Sequence, residues 1–273
     1  MTEKKYDFVG WNLNGLTNVK LNNKWGFIDQ MGNEVVPVKY DMVGIFSEGL
    51  APVTLNRKCG YIDPTGKVVI PLMYDSAYHY HEDLAKVQLN DKWGFIDKTG
   101  KVVIPLHYDS AENFHDGLAA VQINGDWGFI DKTDKVVIPL QYRKVGDRFY
   151  EDLVVVQMYC GWGFIDKIGR IVVPPKYILN ETAKFSEGFA RVHINGKCGF
   201  VDKTGKETVP LQYDDVNDFH EGLAAVLLNG KWGYINGKGE MIVSPQYDSA
   251  FNFENGRAIV SKDGSSFYLQ GRI

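Results

Sequence analysis

Cysteine is scarce in this sequence, with three residues among 273. Three cysteines cannot build the dense disulfide framework of a small secreted domain. Long hydrophobic runs are also missing, and no stretch approaches the roughly 18 consecutive apolar residues of a membrane-spanning helix. The first residues, MTEKKYDFVGWN, lack the apolar core of a secretory signal peptide. We therefore expect a soluble cytoplasmic protein with no membrane partner.

The sequence also lacks an excess of positive charge. It has 30 lysines and arginines against 34 acidic residues, and its net charge is −4. Nucleic-acid-binding domains usually carry a basic footprint, so we expect no nucleic-acid partner. No nucleophile elbow, phosphate-binding loop or dinucleotide fingerprint is present. We therefore expect no enzymatic activity and no cofactor. An enzyme that uses Asp and His side chains of loops stays an alternative, because catalytic groups can converge from distant positions.

Internal repetition is what the sequence has in abundance. A Trp-Gly or Cys-Gly pair recurs at steps of 34, 34, 34, 35, 36 and 34 residues, and a tyrosine follows each pair at a constant spacing. A period of this length indicates a repeat architecture. It predicts one repeat domain over residues 1–273, with seven repeats and terminal half-repeats. The pairs begin at Trp25, Cys59, Trp93, Trp127, Trp162, Cys198 and Trp232.

The repeated words resemble the WG-repeat (KWG) family over nearly the whole chain. They are KWGFID at Lys24–Asp29 and Lys92–Asp97, KWGYIN at Lys231–Asn236, and EGLA at residues 48–51 and 221–224. The resemblance implies a bacterial β-repeat protein, in a family whose members often have no defined role. Cys59 and Cys198 depart from the family's tryptophan.

Each repeat predicts a three-stranded antiparallel β-meander. In residues 118–123, LAAVQI, apolar side chains alternate as in a half-buried strand. Asn124-Gly125 then predicts a type I′ hairpin turn. The following strand, Asp126–Asp131, is apolar on both faces, which indicates a central position.

The third strand follows an Asp-Lys-Thr-Gly turn, and we expect Pro105 to end it because proline cannot donate a ladder hydrogen bond. The segment from Tyr108 to Phe114 is either a short fourth strand or a returning loop.

A single meander cannot bury its apolar faces, so neighbouring repeats must cover one another. Two all-β architectures satisfy this requirement: a closed propeller-like ring, which we favour, and an open β-solenoid. The chain begins within a repeat, and Thr2–Tyr6 can supply the strand that the last repeat lacks. Closure would remove exposed sheet edges. The polar residues Thr2–Lys5 fit a capped edge equally well.

The regularly spaced tryptophans are either a stacking platform or buried anchors of each repeat. Cysteine at two of the seven positions favours buried anchors, because cysteine behaves as a small hydrophobic residue. The acids after the second strand could bind cations. However, each begins a turn and Asn236 replaces one of them, so we interpret them as turn residues. Arg143 and Ile178 interrupt the acid that elsewhere follows the repeat tyrosine.

Histidines and cysteines offer a second set of candidates. His79, His81 and His115 could converge on a metal such as zinc. Their spacing fits no ligand motif, so we expect no metal. Cys59 and Cys198 occupy equivalent sites four repeats apart and should not pair. Cys160 lies in an irregular turn and should be an exposed thiol.

Candidate binding residues lie where the repeat is least regular, in residues 141–161 and 175–184. Arg143, Lys144, Arg148, Tyr150 and Tyr159 form a basic and aromatic group on an acidic chain. Such residues are enriched at protein interfaces. The other interpretation is drift in tolerant loops. We predict a non-catalytic scaffold that binds an unidentified protein partner through this group.

A glycan-binding module for envelope sugars is the alternative function. It requires exposed aromatic rings flanked by carboxamides and acids. Tyr78, Tyr80 and His81 are the nearest candidates in the sequence.

Overall fold

The computed structural model describes residues 5–13 and 15–271. Over these residues the chain forms only strands, bridges, turns and irregular segments, and so offers no helix that could cross a membrane. This confirms the all-β prediction. The chain separates into two compact units, Met1–Val136 and Val137–Ile273. The sequence repeats continue through this boundary, so one repeat domain over residues 1–273 stays a prediction.

Unit 1 contains consecutive antiparallel sheets, each formed by one continuous stretch of chain. The first sheet has β1 (Phe8–Leu13), β2 (Leu16–Leu21), β3 (Lys24–Asp29) and β4 (Glu34–Tyr40). The second has β5 (Met42–Val43), β6 (Ala51–Leu55), β7 (Lys58–Ile62) and β8 (Val68–Tyr74). The third has β9 (Ser76–His81), β10 (Leu84–Leu89), β11 (Lys92–Ile96) and β12 (Val102–Tyr108). The same order continues with β13 (Ser110–Ala111), β14 (Leu118–Ile123) and β15 (Asp126–Asp131).

The boundary between the units falls within β16 (Val136–Tyr142). Unit 2 continues with β17 (Lys144–Val145), β18 (Leu153–Met158), β19 (Gly161–Asp166) and β20 (Ile171–Val173). The next sheet has β21 (Phe185–Ser186), β22 (Phe189–Ile194), β23 (Lys197–Asp202) and β24 (Glu207–Tyr213). It is followed by β25 (Asp215–Val216), β26 (Leu223–Leu228), β27 (Lys231–Asn236) and β28 (Met241–Tyr247). Among the described residues, the last sheet has three strands: β29 (Ser249–Ala250), β30 (Arg257–Lys262) and β31 (Ser265–Gln270).

The complete sheets have four strands, so the predicted three-stranded meander lacks one strand. In Tyr108–Phe114, where we expected either a short fourth strand or a returning loop, the structure has the short strand β13. The additional strand is usually two residues long and follows the repeat tyrosine. In β13, Ser110 pairs with Gln122 and Ala111 pairs with Val121 of the next strand. Two residues are too few to show alternation, so the sequence pattern cannot distinguish such a strand from a loop.

The hairpin and the central strand agree with their predictions. Asn124 and Gly125 both adopt positive φ, 53° and 89°, as a type I′ turn requires. In the third sheet, β11 lies between β10 and β12. It buries Phe95 on one face and Ile96 on the other. A strand covered on both faces is therefore apolar on both.

The prediction that Pro105 ends the third strand is wrong, because β12 continues to Tyr108. This strand lies at the edge of its sheet, where the missing N–H of proline breaks no ladder bond. The strand bulges around Pro105, since Trp93 pairs with Tyr108 while Phe95 pairs with Ile104.

The bulge explains why glycine follows the repeat tryptophan. A Cβ atom on Gly94 would lie 2.5 Å from the carbonyl oxygen of Ile104, which is closer than real Cβ contacts. The equivalent glycines would meet a backbone carbonyl at 2.4 to 2.5 Å in the same way: Gly26, Gly60, Gly163, Gly199 and Gly233. Any larger residue would push the edge strand away.

The core lies between consecutive sheets within each unit. Phe95 of β11 packs edge-to-face on Phe114, which precedes β14, with ring centroids 4.8 Å apart. Equivalent pairs have centroids 4.7 to 5.1 Å apart: Phe27–Phe46, Tyr61–Tyr80, Phe164–Phe185, Phe200–Phe219 and Tyr234–Phe253. Within each unit, consecutive sheets therefore cover one another's aromatic side chains, as the stacking argument requires.

The five repeat tryptophans are half-buried, whereas we expected buried anchors. Trp93 pairs with Gln88, one residue pair from the hairpin end of its sheet. The neighbouring sheet covers only part of a ring at this end. The fully buried anchor is the Phe or Tyr two residues later, such as Phe95.

Candidate protein-binding site

Three of the predicted binding residues lie near the hairpin that joins β18 and β19. The guanidinium of Arg143 lies over the Tyr159 ring, 4.8 Å from its centroid. Both side chains are exposed, Tyr159 by 89%. The neighbouring Lys144 forms an ion pair with Glu181, whose Oε2 is 3.0 Å from the lysine Nζ. We refer to Arg143, Lys144 and Tyr159 as the hairpin patch.

The other two predicted residues lie beside Lys184 at the turn before β18. The guanidinium of Arg148 is 4.8 Å from the centroid of the Tyr150 ring, and the Lys184 Nζ is 5.7 Å from the same centroid. A hydrogen bond with Tyr150 raises the pKa of Arg148 further above its already high usual value. Lys184 belongs to the second irregular stretch, residues 175–184. We refer to Arg148, Tyr150 and Lys184 as the turn patch.

The two patches lie at opposite ends of β18. Tyr150 forms a bridge with Leu153, where the strand begins, and Tyr159 follows Met158, where it ends. A strand of this length spans about 17 Å at the usual rise per residue. The structure therefore divides the five predicted residues into two separate patches.

The hairpin patch exists because Arg143 occupies a position that aspartate holds in regular repeats. In a regular repeat, Asp109 Oδ2 accepts a hydrogen bond from the Asn124 N–H at 2.6 Å, which stabilises the Asn124-Gly125 turn. A guanidinium has no acceptor and cannot make this bond. At the β18–β19 hairpin, only Gly161 adopts positive φ, 138°. The changed turn presents Tyr159 to solvent.

In regular repeats, the aspartate after the repeat tyrosine already forms an ion pair and a backbone hydrogen bond within the fold. The Lys92 Nζ donates to Asp109 Oδ1 at 2.5 Å. This hydrogen bond lowers the pKa of Asp109 below its usual value, and the hydrogen bond from the Asn124 N–H is the second largest cause. The same pair occurs at Lys24–Asp41, Lys58–Asp75, Lys197–Asp214 and Lys231–Asp248. Sequence reasoning missed this pairing, although a constant spacing of 17 residues signals it.

The acids after the second strand hold turns, as predicted. Asp97 Oδ1 accepts hydrogen bonds from the Thr99 hydroxyl at 2.6 Å and from the Thr99 and Lys101 N–H groups at 2.9 and 3.1 Å. The Thr99 hydroxyl is the main cause of the lowered pKa of Asp97. Asn236 makes the equivalent bonds with Lys238 and Glu240. These side chains are therefore committed to the backbone.

The histidines do not form a metal centre in the described part of the chain, where no group of three His, Cys, Asp or Glu side chains could hold an ion. The rings of His81 and His115 lie 5.4 Å apart. His79 Nδ1 instead lies 3.1 Å from the carbonyl oxygen of Ile45. Burial lowers the pKa of His79 below its usual value.

The aromatic residues considered for glycan binding do not share an exposed surface. Tyr80 is 1% exposed, and its hydroxyl donates to the carbonyl oxygen of Asp97 at 2.9 Å. It cannot present a ring face to a sugar. Tyr78 is 45% exposed, and the centroid of its ring lies 5.7 Å from that of the Trp93 ring.

All three cysteines are free thiols. Cys160 is exposed, as predicted from its irregular turn. Cys59 is buried and lies 3.3 Å from the Thr54 hydroxyl. Burial raises the pKa of the Cys198 thiol above its usual value.

Sequence reasoning also missed the role of the glutamate in the EGLA word. Glu221 accepts hydrogen bonds from the N–H groups of Asn255 and Gly256 at 2.6 and 2.9 Å. Glu82 accepts one from Gly117 at 3.0 Å and pairs with Lys132 at 3.1 Å. Each acid ties its own turn to the equivalent turn one repeat later. The signal in the sequence is an acid two residues before a leucine, as at Glu82 and Glu221, recurring at multiples of the repeat period.

A family model described as WG containing repeat matches seven consecutive segments of the chain. They are residues 25–59, 60–93, 93–126, 127–159, 162–198, 199–232 and 232–265. No curated protein matches the chain.

Several solved structures are similar to the chain. One is a eukaryotic initiation factor, at 10% identity and a TM-score of 0.52, over 97% of this chain and 88% of that one. Hsv2 from Kluyveromyces lactis has 8% identity and a TM-score of 0.42, with 94% of both chains covered. The extracellular domain of a putative one-component system from B. thetaiotaomicron has 13% identity and a TM-score of 0.39, over 97% of this chain and 42% of that one. At this identity the first match shows a likeness of fold and nothing beyond it.

Proposed function

The chain belongs to the WG-repeat family, and from this premise we propose that it is a non-catalytic scaffold that binds another protein. The hairpin patch and the turn patch are the binding surface. The regular repeats build a rigid support, and the irregular repeats supply the recognition. This division is common in repeat proteins, where departures from the repeat map to loops on a binding face.

One observation carries this proposal. In regular repeats the aspartate at the Arg143 position is engaged by the fold, as Asp109 is by Lys92 and Asn124. At Arg143 and Arg148 the same stretches carry exposed guanidinium groups stacked on tyrosines. Arginine and tyrosine supply much of the binding energy at protein interfaces.

The test compares two variants as bait with a lysate of the source organism. We expect R143A/R148A/Y150A to lose a partner that the wild-type chain captures, with affinity reduced roughly 30-fold or more if even one of the removed side chains is a hot spot. The matched control is R57A/K101A, which removes exposed cations from regular repeats and should retain the partner. A partner captured equally by both variants would place the binding surface elsewhere.

We also propose that the sheets close into a propeller-like ring rather than an open solenoid. The support lies in the last sheet, where β31 has no outer neighbour among the described residues. Phe267 and Tyr268 of this strand are 45% and 55% exposed. Residues 2–4 of the predicted closing segment lie outside the described part. In the other sheets, the position of Phe267 is held by the glycine that faces the bulge of the edge strand. Because Phe267 is too large for that close approach, a closing strand would have to pair with β31 without a bulge.

Small-angle X-ray scattering separates the two architectures. A compact ring of this length has an expected radius of gyration of about 19 Å. Eight sheets stacked openly at about 10 Å spacing would extend for about 80 Å and have a radius of gyration near 25 Å. A measured value close to the larger one would reject the ring.

A further inference from the structure

We propose that the hairpin patch recognises a carboxylate-bearing segment of the partner, which Arg143 binds through its N–H donors while Tyr159 packs on the adjoining side chain. This inference rests on the proposed function and specifies the chemistry of the partner. Three features of the patch carry it: an arginine with free donors, an exposed ring that orients it, and a second cation beside it.

The first feature is the unoccupied guanidinium of Arg143. Within the described part of the chain its side chain has no hydrogen bond or ion pair, and only its backbone N–H is engaged, with the Gln157 carbonyl at 3.0 Å. Arg191, by contrast, is satisfied within the fold. Arg191 Nε lies 2.7 Å from Asp218, and its Nη1 donates to the Val216 carbonyl at 3.1 Å. Arg143 therefore retains the donor fork that matches a carboxylate.

The second feature is the stacking on Tyr159. The guanidinium carbon lies over the ring, 4.8 Å from the ring centroid. Its N–H donors lie in the guanidinium plane, and stacking leaves them directed outward. The ring itself is 89% exposed. A rigid aromatic side chain held in this way offers contact area at a low cost in conformational entropy.

The third feature is Lys144. Its ion pair with Glu181 lies at the surface, with both side chains more than half exposed. Such a pair is weak, so a carboxylate of the partner can replace Glu181 with little loss. The patch then presents two cations to a bound segment, on a chain whose net charge is −4. Two adjacent cations suit a short acidic peptide segment, whereas a nucleic acid usually requires a longer basic track.

The test uses fluorescein-labelled octaglutamate as the probe, with fluorescence anisotropy measured at low salt. We expect wild-type chain to bind this peptide and R143E to bind it roughly tenfold more weakly or worse, because an attractive charge becomes a repulsive one. Y159A should weaken binding by a smaller factor. The control is R57E, which reverses an exposed hairpin arginine that has no stacked tyrosine, and it should bind as the wild type does.

Three results would overturn this inference. They are no octaglutamate binding up to about 1 mM, equal binding by wild type and R143E, or tighter binding of a duplex DNA than of octaglutamate. The proposed function fails separately, if R143A/R148A/Y150A still captures the partner. If that variant loses the partner but the wild-type chain does not bind octaglutamate, the proposed binding surface is supported and carboxylate recognition is rejected.

Discussion

Replacement of Gly94 by alanine is expected to lower the free energy of unfolding by about 3 kcal/mol or more, the upper range for overpacking. The new Cβ atom would lie 2.5 Å from the Ile104 carbonyl oxygen and 2.8 Å from the carbonyl of Pro105. These are backbone atoms of β12. They cannot move away without loosening the pairs that Trp93 and Phe95 make with this strand.

The matched control is Gly117→Ala. Gly117 has a φ of 77°, and its Cβ would meet nothing within 4 Å. Only the positive φ penalises alanine there, so the expected loss is about 1 kcal/mol. Urea denaturation of both variants measures the difference. Equal losses would show that the bulged edge strand does not dictate the glycine of the Trp-Gly pair.

Replacement of Phe95 by alanine is expected to cost about 3 to 5 kcal/mol, the usual range for a buried phenylalanine. Phe95 is 1% exposed and packs on Phe114, which lies between β13 and β14 of the following sheet. The variant would therefore open a cavity between two consecutive sheets. Because a repeat gains its core from its neighbour, this loss reaches beyond the mutated repeat.

Two further variants make this prediction specific. Phe267→Ala removes an aromatic residue that is 45% exposed, and should cost only about half as much as Phe95→Ala, because roughly half of its surface is already in contact with water. The double variant with Phe114→Ala should reveal a coupling of about 0.5 to 1.5 kcal/mol, typical of an edge-to-face pair. A loss below about 1 kcal/mol for Phe95→Ala would contradict mutual shielding of the repeats.

The candidate site was predictable in part. Arg143, Lys144, Arg148, Tyr150 and Tyr159 stand out in the sequence because they interrupt a regular repeat, and they are exposed or half-buried in the structure. The sequence could not show that they form two patches. Their positions along the chain are close, but a six-residue strand separates the two groups in space.

The sequence by itself determined the repeat, the all-β class, the Asn-Gly hairpins and the turn role of the acids. These features depend on local chemistry: alternation along one strand, positive φ at glycine and asparagine, and a carboxylate near the N–H groups that follow it. Their signals lie within a few residues, and repetition made them unmistakable.

Only the tertiary structure decided the fourth strand, the passage of β12 through Pro105, the partial exposure of the tryptophans and the division of the site. Each depends on what a neighbouring strand or sheet places against a residue. A two-residue strand exists because β14 pairs with it, and Pro105 is tolerated because nothing pairs beyond the edge. Such outcomes arise from contacts between distant parts of the chain, which local sequence patterns do not contain.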